Sequence, residues 1–132
     1  MRVAFDTNVL VRLVTEDDAA QARAAARHLE GKQLFLAKTV LLESEWVLRY
    51  AYELPRTAIA AVFRKVLGLE GLEVEAASDV LVALAWYEQG LDFADALHLA
   101  SSRGCDHLAT FDRNLASAAR KLEVQPEVVL LR

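Results

Sequence analysis

Short apolar runs alternate with longer amphipathic ones along this chain, and few architectures accept that alternation. Arg2 to Phe5, Leu34 to Ala37, Leu72 to Glu75, His107 to Thr110 and Val128 to Leu131 have the length and character of strands. Helical spacing fills the intervals. A helix starts in Val9 to Val14, and an alanine-rich one runs from Asp17 to Glu30 with its stop at Gly31. Thr39 to Tyr52 carries apolar residues at 42, 46, 47 and 50. Pro55 suits the first turn of the next helix, whose apolar face is Ile59, Val62, Phe63, Val66 and Leu67 and which Gly68 and Gly71 end. Ser78 is placed to cap a helix reaching Gln89, and Gly90 stops it. Phe93 to Ser102, closed by Gly104, and Arg113 to Lys121 complete the set. Strands separated by helices predict an α/β fold with a parallel sheet covered on both faces. No repeat, low-complexity linker or internal boundary interrupts it, so residues 1–132 are expected to form a single domain.

Apolar residues make up 55% and charged residues 26%, a globular composition. The apolar share also points toward a buried interface with a partner. Cys105 is the lone cysteine, which excludes an internal disulfide and fits a reducing cytoplasm. Val3 to Phe5 is too short for a signal-peptide core. No run approaches the roughly 18 apolar residues of a membrane span. The net charge of −4 counts against a generic basic nucleic-acid binder. That argument weakens if carboxylates gather around a divalent cation, whose own charge inverts the local field.

Four carboxylates stand out: Asp6, Glu43, Asp95 and Asp112. Asp6 ends the first strand and Asp112 follows the strand at 107–110, the end of a parallel sheet at which ligands bind. Each aspartate has a plainer reading. Asp6 or Thr7 suits the N-cap of the first helix and Asp112 that of the last, and Asp95 lies three residues after Asp92, as in a capping box. Glu43 resists that reading, because its predicted face also carries Trp46, Val47 and Tyr50, where an unpaired carboxylate is costly. Oxygen ligands suit Mg²⁺ or Mn²⁺. No Cys/His zinc spacing and no glycine-rich phosphate loop is present, and His28, His98 and His107 are dispersed.

FDTNVL, LLESEWVLR, DFADALHLA and ATFDRNL, in this order and spacing, resemble the motifs of PIN-domain ribonucleases, in particular VapC-like toxins of toxin–antitoxin pairs. The resemblance covers nearly the whole chain. It implies a three-layer α/β/α sandwich with a central parallel sheet of strand order 3-2-1-4-5, and Mg²⁺- or Mn²⁺-dependent cleavage of RNA. It also implies a homodimer and an antitoxin bound along an apolar groove. Carried over position by position, Asp6, Glu43, Asp95 and Asp112 match the metal-binding and catalytic acids. Asp92 matches an accessory ligand or the helix cap. Asn8 and Thr110 match polar positions that orient the carboxylates or a water.

Arg113, Lys38 and Arg12 are the cations best placed by sequence to meet phosphates, with ordinary surface charge as the alternative. Arg49 follows Glu45 by four residues, the spacing of a helix-surface ion pair. Trp46, Trp86, Tyr50, Tyr52 and Tyr87 read as core. A receiver-like signalling module would need an acidic pair after the first strand, and a haloacid-dehalogenase-like phosphatase Asp-x-Asp; position 8 is Asn. A related nuclease acting on DNA, or in housekeeping RNA processing, is the nearest enzymatic alternative.

Overall fold

In the computed structural model, which describes residues 1–132, strands and helices alternate as the hydrophobic pattern requires. The chain divides into two compact units, Met1–Ala77 and Ser78–Arg132. The first holds β1 (Arg2–Ala4), α1 (Thr7–Thr15), α2 (Ala19–Leu29), β2 (Gln33–Leu36), α3 (Lys38–Tyr50), α4 (Arg56–Leu67) and β3 (Leu72–Val74). The second holds α5, which begins at the boundary (Ala77–Glu88), α6 (Phe93–Ser101), β4 (His107–Thr110), α7 (Arg113–Leu122) and β5 (Glu127–Leu130). No helix is long and apolar enough to cross a membrane.

All strand pairs are parallel. In the first unit β2 lies between β1 and β3, with Val3 opposite Leu34 and Leu36 opposite Val74. Arg2 fastens one edge: its guanidinium sits 4.6 Å from the Phe35 ring centroid and bonds Glu73. Gly71 turns the chain into β3 at φ +77°, where its carbonyl accepts from Leu34 N–H at 2.8 Å; only glycine takes that backbone without strain. α1 packs on α2 and α3, and α3 on α4, around buried Leu10, Leu41, Leu48, Ile59 and Phe63. In the second unit β4 pairs with β5, Thr110 opposite Leu130, and α7 packs on both. Its buried side chains include Leu84, Tyr87, Phe93, Leu99 and Leu115, with Tyr87 and Phe93 edge-on at 5.2 Å.

The expected single sheet of order 3-2-1-4-5 is corrected: the ladders form two sheets, β1-β2-β3 and β4-β5. Within each, the neighbours are the expected ones. The difference lies at β1, which has three residues and uses its ladder on β2. So short a parallel strand offers only one or two backbone groups to a second edge.

Two helix starts also differ from expectation. α3 begins at Lys38 after Ala37, one residue before the expected Thr39, and Glu75, just past β3, accepts from Lys38 N–H at 3.0 Å. A cap delivered from another strand is invisible to local spacing. Ser78 lies inside α5 and not at its cap, because the helix starts one residue earlier, at Ala77.

Candidate active site

In the first unit, β1 delivers Asp6 to the start of α1 in extended backbone (φ −95°, ψ −177°), the conformation of an N-cap. Its Oδ1 accepts from Val9 N–H at 3.2 Å. The other carboxylate oxygen has no bond in the structure and remains available. Thr7, next in the chain and buried, donates its hydroxyl proton to Glu43 Oε1 on α3. This bond ties the first-strand motif to the third-helix motif. The sequence offered Thr7 only as a helix cap, a place that Asp6 takes; its bond to Glu43 left no signal in the motif DTN. Asn8 is exposed beside it.

Glu43 is itself exposed, and the face it was assigned to is corrected. α3 buries Leu41, Ser44, Glu45 and Leu48, whereas Trp46 and Tyr50 are 57% and 58% exposed. Their rings lie 5.1 Å apart on the surface. The apolar stripe at 42, 46, 47 and 50 is real, but it is not the stripe that faces the core. Glu45 is the buried acid, and Arg49 clamps it with Nε–Oε2 at 2.8 Å and Nη2–Oε1 at 3.2 Å. That two-point geometry meets the cost of burying the carboxylate better than a surface pair would.

In the second unit, Asp112 caps α7 with Oδ1 accepting from Asn114 N–H (2.9 Å) and Leu115 N–H (3.1 Å). Thr110, the last residue of β4, holds this cap in place, its hydroxyl oxygen accepting from Asp112 N–H at 2.9 Å. Asp112 likewise keeps its second oxygen unbonded. Asp92 caps α6, accepting from Asp95 N–H at 3.2 Å. Asp95 stands in the first turn of α6 and caps nothing. Its carboxyl is pushed above the ordinary carboxylate range, first by burial and then by the negative charges of Asp92 and Asp112, with His98 partly opposing. Three acids of the second unit therefore share one local field.

The cation candidates differ in circumstance. Arg12 is engaged by Gln21 (2.7 Å), Tyr52 (3.0 Å) and Asp17 (3.4 Å). Lys38 opens α3. Arg113 is exposed beside Asp112.

No three His, Cys, Asp or Glu side chains are drawn into a ready metal-holding group. The donor chemistry nevertheless fits a hard divalent ion, because every candidate is a carboxylate and two of them hold one oxygen in reserve. Capping thus leaves one oxygen of each of these two aspartates for a metal.

Neither a curated protein nor a solved structure gives a match to this chain. The family model of the PIN domain matches residues 3–121, a span that includes Asp6, Glu43, Asp92, Asp95 and Asp112. The chain belongs to the PIN-domain family, whose members are typically nucleases that use divalent metal ions.

Proposed function

We propose that this PIN-type nuclease is a Mg²⁺- or Mn²⁺-dependent endoribonuclease and the toxin of a toxin–antitoxin pair. The observation that carries the reading is Asp95, held half-buried in the field of Asp92 and Asp112, which His98 only partly opposes. Such an arrangement wants a positive ligand. Asp6, Glu43, Asp95 and Asp112 would hold the ion, with Asp92 as cap and accessory acid. When bound, a divalent ion supplies water activation and charge neutralisation at the phosphodiester. Thr7 fixes the Glu43 carboxylate, and Thr110 fixes the backbone from which Asp112 projects. Asn8, exposed next to Thr7, would orient the carboxylates or a water.

An antitoxin partner is supported by an apolar cavity of about 320 Å³ in the first unit, lined by Phe5, Leu10, Leu13, Val62, Leu69 and Leu72 among others. A homodimer is supported by the apolar composition and the exposed Trp46–Tyr50 pair. The free, exposed Cys105 agrees with a cytoplasmic setting.

The test is cleavage of single-stranded RNA by purified protein with Mn²⁺ or Mg²⁺, with EDTA, and after EDTA is overcome by excess metal. Cleavage should follow the metal. Equal cleavage in EDTA would overturn the site assignment, and preference for DNA would reassign the substrate. The partner is tested by co-expression with the product of an adjoining small reading frame, which should co-purify and inhibit.

A further inference from the structure

We propose that a cleft between α7 and β5 binds the phosphate backbone of single-stranded RNA, an extension of the site that rests on the nuclease reading above. The cleft has a volume of about 650 Å³, and Arg113, Ala116, Ser117, Arg120, Leu131 and Arg132 are among the residues lining it. Arg113 and Arg120 are seven residues apart on α7, so they share a face and stand about 10.5 Å apart along the axis. The stripe through Leu115 and Ala119 is buried, and Ala116 forms the floor between the two arginines. Arg132 arrives from the sheet: Leu131 N–H donates to Thr110 O at 2.7 Å, which carries the β4–β5 pairing one residue beyond β5.

None of these three guanidinium groups makes an ion pair or hydrogen bond within the protein. This is unexpected in a chain with 19 acids against 15 basic residues. Carboxylates are close at hand: the neighbouring cavity, which Arg120 also borders, is lined by Asp106, Glu123 and Glu127, and Arg120 pairs with none of them. Unpartnered guanidinium groups around one concavity repel one another and favour an anion with several charges.

The span identifies that anion. A stacked nucleic-acid strand advances about 3.4 Å per phosphate, so the Arg113–Arg120 distance corresponds to about three phosphates. One free phosphate cannot bridge it. The guanidinium fork matches phosphate oxygens two at a time, and Ser117 between the arginines adds a hydroxyl donor. At one end Arg113 adjoins Asp112, and at the other the acid-lined cavity closes the track. The cleft therefore leads a strand toward Asp112 from one side. Arg132 and β5 lie outside the span that matches the PIN family.

The test is fluorescence anisotropy with a labelled 12-nucleotide RNA in EDTA, over a salt series, using the full chain. Arg120→Glu and Arg132→Glu should each weaken binding at least tenfold, and each should reduce the log–log salt slope by about 1. Arg120→Lys should keep the slope. All three positions are exposed, and circular dichroism should show unaltered folding. Wild-type affinity in both Glu variants, or no RNA binding by the wild type, overturns the proposal. An equal loss toward a blunt DNA duplex also overturns it, because the cleft would then be a general anion patch. Binding that fails in the variants while the wild type never cleaves with metal would sink the nuclease reading and leave the cleft standing. Cleavage with metal by a wild type whose variants bind normally would do the reverse.

Discussion

Arg12 and Arg120 carry the same guanidinium group and are treated in opposite ways. In Met1–Ala77, Arg12 is engaged by Gln21, Tyr52 and Asp17, Glu43 receives the Thr7 hydroxyl, and Glu45 is clamped by Arg49. In Ser78–Arg132, Asp95 is surrounded by Asp92 and Asp112, while Arg113, Arg120 and Arg132 have no partner within the chain. Pairing is available to the second unit, as Arg103 with Asp79 at 2.6 Å demonstrates. Like charges gathered without an internal partner repel one another, and a ligand of opposite charge relieves that repulsion. On the proposed reading, the contrast separates a unit that positions from a unit that binds.

The largest effects should fall on cleavage. Glu43→Gln and Asp95→Asn should each lose more than about 100-fold in kcat/KM with Mn²⁺, because outer partners alone are commonly worth roughly 10–100-fold. Thr7→Val, which removes only the hydroxyl that fixes Glu43, should fall in that lower range and bind RNA normally in EDTA. Thr7→Ser should recover most of the activity. If Thr7→Val cleaves at the wild-type rate, the first unit does not position Glu43 through this bond.

A middle-sized effect should appear in stability without metal. The raised carboxyl of Asp95 means that its ionised form is disfavoured in the folded state, a penalty that is present above the raised value. The penalty is relieved as pH falls through that value toward the ordinary one. At pH 7 in EDTA, Asp95→Asn should therefore raise Tm by roughly 1–3 °C. The gain should shrink on acidification, and saturating Mg²⁺ should stabilise the wild type more than the variant. Glu43→Gln should show no such gain, since Thr7 already supports the acid it replaces. Equal gains in both variants would erase the distinction between the units.

Part of this was readable from residues alone, and the failures have physical causes. β4 falls on His107–Thr110 as expected, since its apolar alternation is bounded by Asp106 and Phe111-Asp112. Asp6 and Asp112 could not be divided into cap or ligand, because the cap occupies one oxygen of each side chain and leaves the other unbonded. α3 misled through its periodicity. Its buried stripe contains Ser44 and Glu45, so the more apolar stripe through Trp46 and Tyr50 looked like the core face. Hydrophobic spacing locates a stripe, and only tertiary packing decides which stripe is covered. The cationic cleft was half visible in Arg113; Arg120 and Arg132 join it through helix phase and the β4–β5 register, which no local motif records.

The smallest effect tests the paired side of the comparison. Asp17 has its carboxyl held below the ordinary range, first by the Tyr52 hydroxyl at 2.6 Å, then by Thr15, with Arg12 contributing. A depressed folded value contributes stability above the unfolded pKa of about 4, and that contribution is lost as pH falls through the folded value. Tyr52→Phe removes the largest cause, so the Asp17 carboxyl should titrate at a higher pH, closer to the ordinary value, by carboxyl-edited NMR. Its Tm should lie slightly below wild type at pH 6 and converge on it near pH 3. Asp17 is on the surface, and salt should narrow the difference further. RNA affinity in EDTA should stay within about twofold of wild type, where Arg120→Glu loses at least tenfold. A tenfold loss in Tyr52→Phe or Arg12→Ala would mean that the paired network also meets the strand, and the division between positioning and binding units would fail.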